Sequence, residues 1–113
     1  MKNSKKTYLF VCLANMNRSP TAERVFQGLA QSKGSDIQVL SAGISGWSTR
    51  PLDREIIKKA DLIFVMEDYM KHEIVSIFSV EPGRIIVLGI PDIYDTDDPI
   101  LVKILKEALE PYV

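Results

Sequence analysis

The sequence predicts an α/β fold, a small three-layer sandwich in which a four-stranded parallel sheet lies between helices. Short apolar runs, typical of parallel strands buried on both faces, alternate along the chain with segments of helical periodicity. Such alternation indicates a parallel sheet with helices on both sides. The 113 residues, 46% hydrophobic and 26% charged, suit one globular domain. We therefore expect a single domain over residues 1–113, with residues 1–6 as a flexible, lysine-rich tail.

The amino-terminal half contains two predicted strands and one long helix. Thr7–Cys12 is a near-continuous apolar run and predicts the first strand. Pro20–Gln31 carries apolar residues at three- and four-residue spacing, which predicts a helix. Ile37–Ser41 predicts a second, shorter strand. The segment after it, Ala42–Pro51, is rich in glycine and serine and predicts a loop.

The carboxyl-terminal half continues the alternation of helix and strand, with apolar runs as strands and three- and four-residue spacing in the helices. Its predicted elements are a helix at Leu52–Lys59, a strand at Asp61–Met66, a helix at Tyr69–Phe78, a strand at Arg84–Leu88 and a helix at Pro99–Leu109. An acidic loop, Pro91–Asp98, precedes the last helix. Ligands of parallel α/β folds bind beyond the carboxyl ends of the strands. The residues that follow the first strand are therefore the first candidates for a site.

Composition restricts the partners and the cellular setting. Fourteen basic against fifteen acidic residues give a net charge of −1, and no basic patch stands out, which argues against a nucleic-acid partner. One cysteine excludes an internal disulfide, and one histidine excludes the usual Cys/His zinc sites. We therefore expect no metal, and a reducing, cytoplasmic location. No apolar stretch is long enough to span a bilayer, so no membrane association is expected.

The strongest local pattern starts at Cys12, the last residue of the first predicted strand, which is followed after five residues by Arg18 and Ser19. A tight turn between a strand and a helix directs backbone N–H groups into one concavity that binds phosphate-like anions. The arginine fork matches two phosphate oxygens, and the positive field of such a loop favours a thiolate, to which Ser19 can donate. The pattern predicts covalent phosphoryl transfer through a phosphocysteine. The structural alternative is a buried cysteine with Ser19 and Pro20 merely starting a helix.

The surrounding residues resemble a known family. The segment V-C-L-A-N-M-N-R-S-P-T-A-E at 11–23 resembles V-C-x-G-N-x-C-R-S-P-x-A-E, the signature of the low-molecular-weight protein tyrosine phosphatases. The resemblance continues in S-A-G-I-S-G-W at 41–47, in D-L-I-F-V-M-E at 61–67 and in the Asp-Pro at 98–99. It covers most of the chain, but the family normally has a longer segment between its tryptophan loop and its third strand.

The resemblance implies a role for each matching residue. Cys12 is expected to be the nucleophile, Arg18 the phosphate clamp and Ser19 the group that stabilises the thiolate. Asp98 is expected to protonate the leaving oxygen and then to activate the attacking water. The residues expected to line the substrate pocket are Leu13, Ala14, Asn15, Met16, Asn17 and Trp47. The expected substrate is a phosphorylated protein, with phosphotyrosine first, or a small phosphomonoester, and no cofactor is needed.

Four departures from the family pattern bear on these expectations. Asn17 stands where many members carry a second cysteine that protects the nucleophile through a reversible disulfide, and Ala14 replaces the usual glycine. Met16 favours an aryl phosphate, whereas the related arginine phosphatases carry threonine there. After Asp98-Pro99, Ile100-Leu101 replaces an aromatic pair and fits the apolar face of the last helix. Because Asp98-Pro99 also reads as a helix N-cap with proline at N1, one of three neighbouring carboxylates could serve as the acid instead: Asp92, Asp95 or Asp97.

Three rival functions remain open at this level, together with the oligomeric state. The first is a phosphate- or phosphopeptide-binding module whose catalysis is impaired by the shortened middle region and the altered acid loop. Arsenate reductase is less favoured because its cysteine relay needs two further thiols, which this chain lacks. A phosphoarginine phosphatase is the third.

Overall fold

The predicted apolar runs form one four-stranded parallel sheet in the computed structural model, which describes residues 6–13 and 18–113. The strands are β1 (Lys6–Cys12), β2 (Ile37–Gly43), β3 (Leu62–Val65) and β4 (Ile85–Val87). Their order across the sheet is β2-β1-β3-β4, and each neighbouring pair is parallel. β1 therefore has a partner strand on each edge, and its residues from Thr7 to Cys12 are buried.

Four helices cover the sheet: α1 (Arg18–Lys33), α2 (Arg54–Lys59), α3 (Asp68–Phe78) and α4 (Pro99–Leu109). Short 3-10 turns lie at Pro82–Arg84 and Glu110–Tyr112. The chain moves one way across the sheet from β1 to β2 and the other way from β2 to β3 and β4. Right-handed crossovers therefore place α1 on one face and α2 and α3 on the other, and α4 packs beside α1. The predicted three-layer α/β fold is confirmed. None of the helices in the described part of the chain is long and apolar enough to cross a membrane.

Aromatic rings join the sheet to the α1–α4 layer. Phe10 of β1 and Phe64 of β3 stack with ring centroids 4.9 Å apart, and Phe26 of α1 packs on Phe10 at 5.8 Å. All three rings are fully buried. The apolar face of α4 is supplied by leucines at four-residue spacing, Leu101, Leu105 and Leu109. Ile100, which the sequence placed on that face, is instead 61% exposed, because one position of a helix turns the side chain by about 100° away from Leu101.

Side-chain caps set two of the helix starts. The Asp53 carboxylate accepts a hydrogen bond from the Ile56 N–H at 2.9 Å, so α2 begins at Arg54 and not at Leu52 as the spacing predicted. The Leu52 N–H donates instead to the Gly43 carbonyl, which extends the link between the β2–α2 loop and the sheet. At α4, Asp98 is the N-cap and Pro99 the first helical residue, which agrees with the predicted boundary.

The other boundaries differ from prediction by one or two residues. Lys6, expected in the tail, is the first residue of β1, and residues 1–5 lie outside the described part. α1 begins at Arg18, two residues before the expected start at Pro20. β2 continues past Ser41 to Gly43 because Gly43 pairs with Cys12 in the β1–β2 ladder. β3 and β4 are each one residue shorter at both ends than the apolar runs predicted.

The strand order locates the crevice where a ligand would bind. The chain leaves β1 toward β2 on one side and leaves β3 toward β4 on the other, so the connections diverge between the carboxyl ends of β1 and β3. In open parallel sheets this point of divergence is the usual ligand site. Cys12 lies at the end of β1, and Glu67 follows directly after Met66 at the end of β3.

Candidate active site

Cys12 and Ser19 are in contact at the base of the crevice. The Cys12 sulfur lies 3.0 Å from the Ser19 hydroxyl oxygen, and both side chains are buried. Ser19 lies in the first turn of α1, so the helix fixes the hydroxyl against the strand end that carries the sulfur. The hydroxyl also lies 3.5 Å from the Ala42 carbonyl, at the limit of a hydrogen bond. Since a hydroxyl has a single proton, ionisation of the thiol would direct that proton to sulfur.

Arg18 is the largest fully buried polar side chain, with only 2% of its surface exposed. One terminal nitrogen, Nη1, donates to the Glu67 carboxylate at 2.6 Å and to the Ile90 carbonyl at 2.8 Å. The Asp92 carboxylate lies 3.7 Å from Nε, close enough for an ion pair but too long for a hydrogen bond. Contacts from the ends of β3 and β4 therefore hold the guanidinium in place before any ligand arrives.

Glu67 is the site residue that reasoning from the motif missed. It follows β3 in the D-L-I-F-V-M-E segment, 49 residues from Arg18 in sequence. The signal was available in principle, because a carboxylate directly after a buried strand at the crevice is well placed to pair with a buried arginine. A buried guanidinium needs such a partner, since an unpaired charge in the interior is costly.

The β2–α2 loop supports the strand end that carries Cys12. The Ile44 N–H donates to the Cys12 carbonyl and the Ser45 N–H to the Leu13 carbonyl, both at 2.9 Å. Trp47 follows two residues later and is 73% exposed, so it is not a packed loop anchor. Four of the predicted pocket residues lie outside the described part of the chain: Ala14, Asn15, Met16 and Asn17.

The carboxylates of the acidic loop after β4 have different partners. Asp98 caps α4, with its Oδ1 accepting from the Ile100 N–H at 2.8 Å. Asp97 has a left-handed backbone (φ 61°) and accepts from Arg24 Nη2 at 2.7 Å and Nε at 3.2 Å. Its N–H donates to the Thr21 hydroxyl, so the end of the loop is fastened to α1. Asp92, nearer to the start of the loop, is the carboxylate that lies beside Arg18.

Tyr69, in the first turn of α3, senses the charges of the site. Burial raises the pKa of its phenol, and the negative charge of Glu67 raises it further, while Arg18 acts in the opposite direction. Asp92 contributes in the same direction as Glu67. The phenol therefore stays protonated at neutral pH.

The arrangement suits attack by sulfur on a phosphate group. A buried sulfur with a hydroxyl partner stands at a strand end, and an arginine held in advance lies at the start of the following helix. No three His, Cys, Asp or Glu side chains within residues 6–13 and 18–113 are grouped so that they could hold a metal ion. The fold and these residues define the class of cysteine-dependent phosphatases with a phosphate-binding loop after the first strand.

Comparison with known proteins agrees with this class. The family model for low molecular weight phosphotyrosine protein phosphatase matches residues 7–58. A probable low molecular weight protein-tyrosine-phosphatase, EpsP from Ralstonia nicotianae, is 31% identical over 93% of this chain and 87% of its own length. A protein-arginine-phosphatase from Bacillus subtilis is 29% identical over 71% of this chain and 68% of its own. A crystal structure of a YwlE mutant from Bacillus subtilis superposes with a TM-score of 0.75 at 26% identity, covering 94% of this chain and 95% of that one.

The chain therefore belongs to the low-molecular-weight protein tyrosine phosphatase family, as its motif predicted. It is an enzyme, a cysteine-dependent phosphatase whose substrate is a phosphorylated protein or a small phosphomonoester.

Proposed function

We propose that this phosphatase hydrolyses aryl phosphomonoesters of the phosphotyrosine type, with Cys12 as nucleophile, Arg18 as phosphate clamp and Asp92 as general acid and base. The observation that carries the proposal is the 3.0 Å contact between the Cys12 sulfur and the Ser19 hydroxyl, directly beside an arginine that is buried and already oriented. A structural cysteine would need neither the hydroxyl partner nor the neighbouring guanidinium.

In the first step the Cys12 thiolate attacks phosphorus, a sulfur–phosphorus bond forms, and the bond from phosphorus to the leaving oxygen breaks. Arg18 binds the equatorial oxygens as their charge increases, and its fork is suited to two of them. Asp92 gives its proton to the leaving phenolate oxygen. The products of this step are a phenol and a phosphocysteine.

In the second step water attacks the phosphocysteine, and Asp92, now ionised, takes the proton of that water. The sulfur–phosphorus bond breaks, inorganic phosphate leaves, and the electron pair returns to the Cys12 sulfur. The Ser19 hydroxyl donates to the departing thiolate, as its 3.0 Å distance allows. The enzyme returns to its starting state, and no cofactor enters the balance.

Asp92 is preferred over Asp98 because of where each carboxylate lies. Asp98 is engaged as the α4 cap, and a general acid must be able to move its oxygen to the leaving group. Asp92 is 56% exposed, lies 3.7 Å from the Arg18 Nε and is the carboxylate of this loop nearest to the clamp. Tyr94, two residues after it, is partly buried against the core and anchors that part of the loop.

Phosphoarginine is the second candidate substrate, because one relative is named a protein-arginine-phosphatase. It differs from an aryl phosphate in its leaving atom, nitrogen instead of oxygen, and in its flat but cationic organic group. The two candidates share Cys12 and Arg18 and are separated by kinetics alone. The cytoplasmic location expected from the single cysteine stays a prediction.

The test is a set of initial rates on p-nitrophenyl phosphate, phosphotyrosine and phosphoarginine in the presence of a chelator. We expect turnover of the two aryl esters by the wild-type protein and none by Cys12→Ser or Arg18→Ala. Arg54→Ala is the matched control, since this guanidinium lies over the ring of Phe78, at the opposite end of α3 from Glu67. Unchanged activity in Cys12→Ser would overturn the proposal, and a preference for phosphoarginine would select the second candidate. Binding of phosphate by the wild type without turnover would indicate an impaired binding module.

A further inference from the structure

Three exposed apolar side chains stand close in sequence to the residues that hold the crevice together. Trp47 is 73% exposed, Tyr69 42% and Ile93 73%. Each comes within two residues of a group that contacts the phosphate loop or its arginine, and these groups are the Ser45 N–H, the Glu67 carboxylate and the Asp92 carboxylate. Large apolar side chains on three separate segments are therefore each within two residues of a group at the crevice, and we call these three side chains the rim.

Tyr69 is the member of this rim whose place is best determined. α3 begins at Asp68, directly after Glu67, and Met70 and Ile74 are fully buried, which fixes the rotation of the helix. The Tyr69 ring is thereby left half out of the protein at the carboxyl edge of the sheet. Tyr69 follows two residues after Glu67, whose carboxylate contacts Arg18 at 2.6 Å, so the first turn of α3 places this residue beside the crevice. Burial and the charges of Glu67, Arg18 and Asp92 act on the pKa of its phenol, which agrees with this placement.

We propose that Tyr69 is a specificity-determining residue, whose ring contacts the organic group of the phosphomonoester and makes the site prefer aryl over alkyl phosphates. The proposal rests on the proposed function and adds a residue that the family motif does not include. With the phosphate held at Arg18, the organic group of the ester must leave the crevice past its rim. An aromatic leaving group can pack against a half-exposed ring, and such ring pairs gain more than their buried area alone provides. A short alkyl group reaches little of that surface.

The test uses ligands that cannot be turned over, so that it does not depend on catalysis. Isothermal titration calorimetry measures the Kd of phenylphosphonate and of methylphosphonate for four proteins: wild type, Tyr69→Ala, Tyr69→Phe and Ile77→Ala. Ile77 is the matched control, an exposed apolar residue on the same helix, 57% exposed and about 12 Å farther along its axis.

We expect wild type to bind phenylphosphonate more tightly than methylphosphonate. Tyr69→Ala should weaken phenylphosphonate binding about 2- to 10-fold and leave methylphosphonate unchanged, whereas Tyr69→Phe, which keeps the ring, and Ile77→Ala should behave as wild type. Equal weakening of both ligands in Tyr69→Ala, or no weakening of either, would overturn the proposal. A wild type without preference for the aryl ligand, or without binding of either, would do the same.

A kinetic arm separates this proposal from the function on which it rests. If wild type turns over both phenyl and ethyl phosphate, the ratio of their kcat/KM values should fall in Tyr69→Ala through KM, with kcat nearly constant. If wild type hydrolyses neither ester but still shows the phosphonate preference and its loss in Tyr69→Ala, the proposed function fails and the role of Tyr69 in binding stands. Should Tyr69→Ala fail to fold, Tyr69→Leu removes the ring at similar volume and carries the same expectations.

Discussion

Separate substitutions of the two candidate acids, Asp92 and Asp98, distinguish a role in catalysis from a role in helix capping. Asp92→Asn removes a carboxylate that lies 3.7 Å from the Arg18 Nε and is 56% exposed. Two full charges at that distance attract by about 1 kcal/mol in water, so its loss should change the free energy of unfolding by no more than about 1 kcal/mol. Positioned general acids contribute roughly 10²–10⁴-fold, so kcat on phenyl phosphate, a poor leaving group, should fall by about that factor.

Asp98→Ala should have the opposite profile. It removes the acceptor of the Ile100 N–H, a 2.8 Å capping bond at the start of α4, and caps of this kind contribute about 0.5–2 kcal/mol. We expect urea denaturation to show this decrease in the free energy of unfolding. kcat should stay within about threefold of wild type, because Asp92, the general acid, is still present. Asp98→Asn is the control, since asparagine caps as well as aspartate and should restore stability.

Steady-state kinetics on phenyl phosphate and p-nitrophenyl phosphate provide the assay. Because p-nitrophenolate leaves with little need of a proton, the Asp92→Asn deficit in kcat/KM, which reports phosphocysteine formation, should be much smaller on that substrate. The deficit in kcat also includes the loss of the base in the second step, which the two substrates share. If Asp98→Asn, which keeps the cap, loses turnover on phenyl phosphate while Asp92→Asn keeps it, Asp98 is the acid and the reasoning from loop geometry is wrong.

Three further predictions concern the scaffold. Glu67→Gln should lower the free energy of unfolding by about 1–2 kcal/mol in urea denaturation, because Arg18 is 2% exposed and loses a charged partner. The loss is limited because Glu67 is itself 36% exposed and partly screened by solvent. An unchanged free energy of unfolding would show that the ion pair is not formed. Phe26→Ala, which empties a fully buried ring site, should cost about 3–5 kcal/mol, and a loss below 1 kcal/mol would contradict the described core. Burial, and then the charge of Asp61, raises the pKa of Tyr8 above its ordinary 10.0. The stability that the phenol proton provides is therefore full below pH 10 and is lost as the pH rises through the native pKa. Tyr8→Phe should lose less stability than wild type between neutral pH and pH 11, and equal losses in the two proteins would contradict this prediction.

Much of the fold could be predicted because apolar runs and helical spacing are local signals. The helix starts were less predictable. Pro20 was expected to open α1, but proline is tolerated anywhere in a first turn, where N–H groups lack helical partners, and α1 begins at Arg18. At α2 the spacing suggested Leu52, while the Asp53 cap sets the start at Arg54. Apolar spacing alone does not determine which residue is the N-cap, and the N-cap sets where the helix begins.

The contacts of the site could likewise be predicted where they join residues close in sequence, and not where they join distant ones. The pairing of Cys12 with Ser19 follows from a strand end and a helix start only seven residues apart. The pairing of Arg18 with Glu67 depends on the order of the strands, because β3 must lie beside β1 for the two side chains to meet. The choice among the loop carboxylates depends on which of them are already bonded, and Asp97 and Asp98 are. The spacing of residues in the sequence shows neither the order of the strands nor which loop carboxylates are already hydrogen-bonded.

The most direct test of the central claim is to detect phosphate on Cys12 itself. Wild-type protein is mixed rapidly with phenyl phosphate, quenched within the first turnover, digested and examined by mass spectrometry, with Cys12→Ala treated in the same way. We predict a covalent phosphate on the peptide that contains Cys12, formed in the wild type and absent from the variant. Turnover by wild type with no phosphate on that peptide at any quench time, or phosphate release by Cys12→Ala at the wild-type rate, would contradict the account.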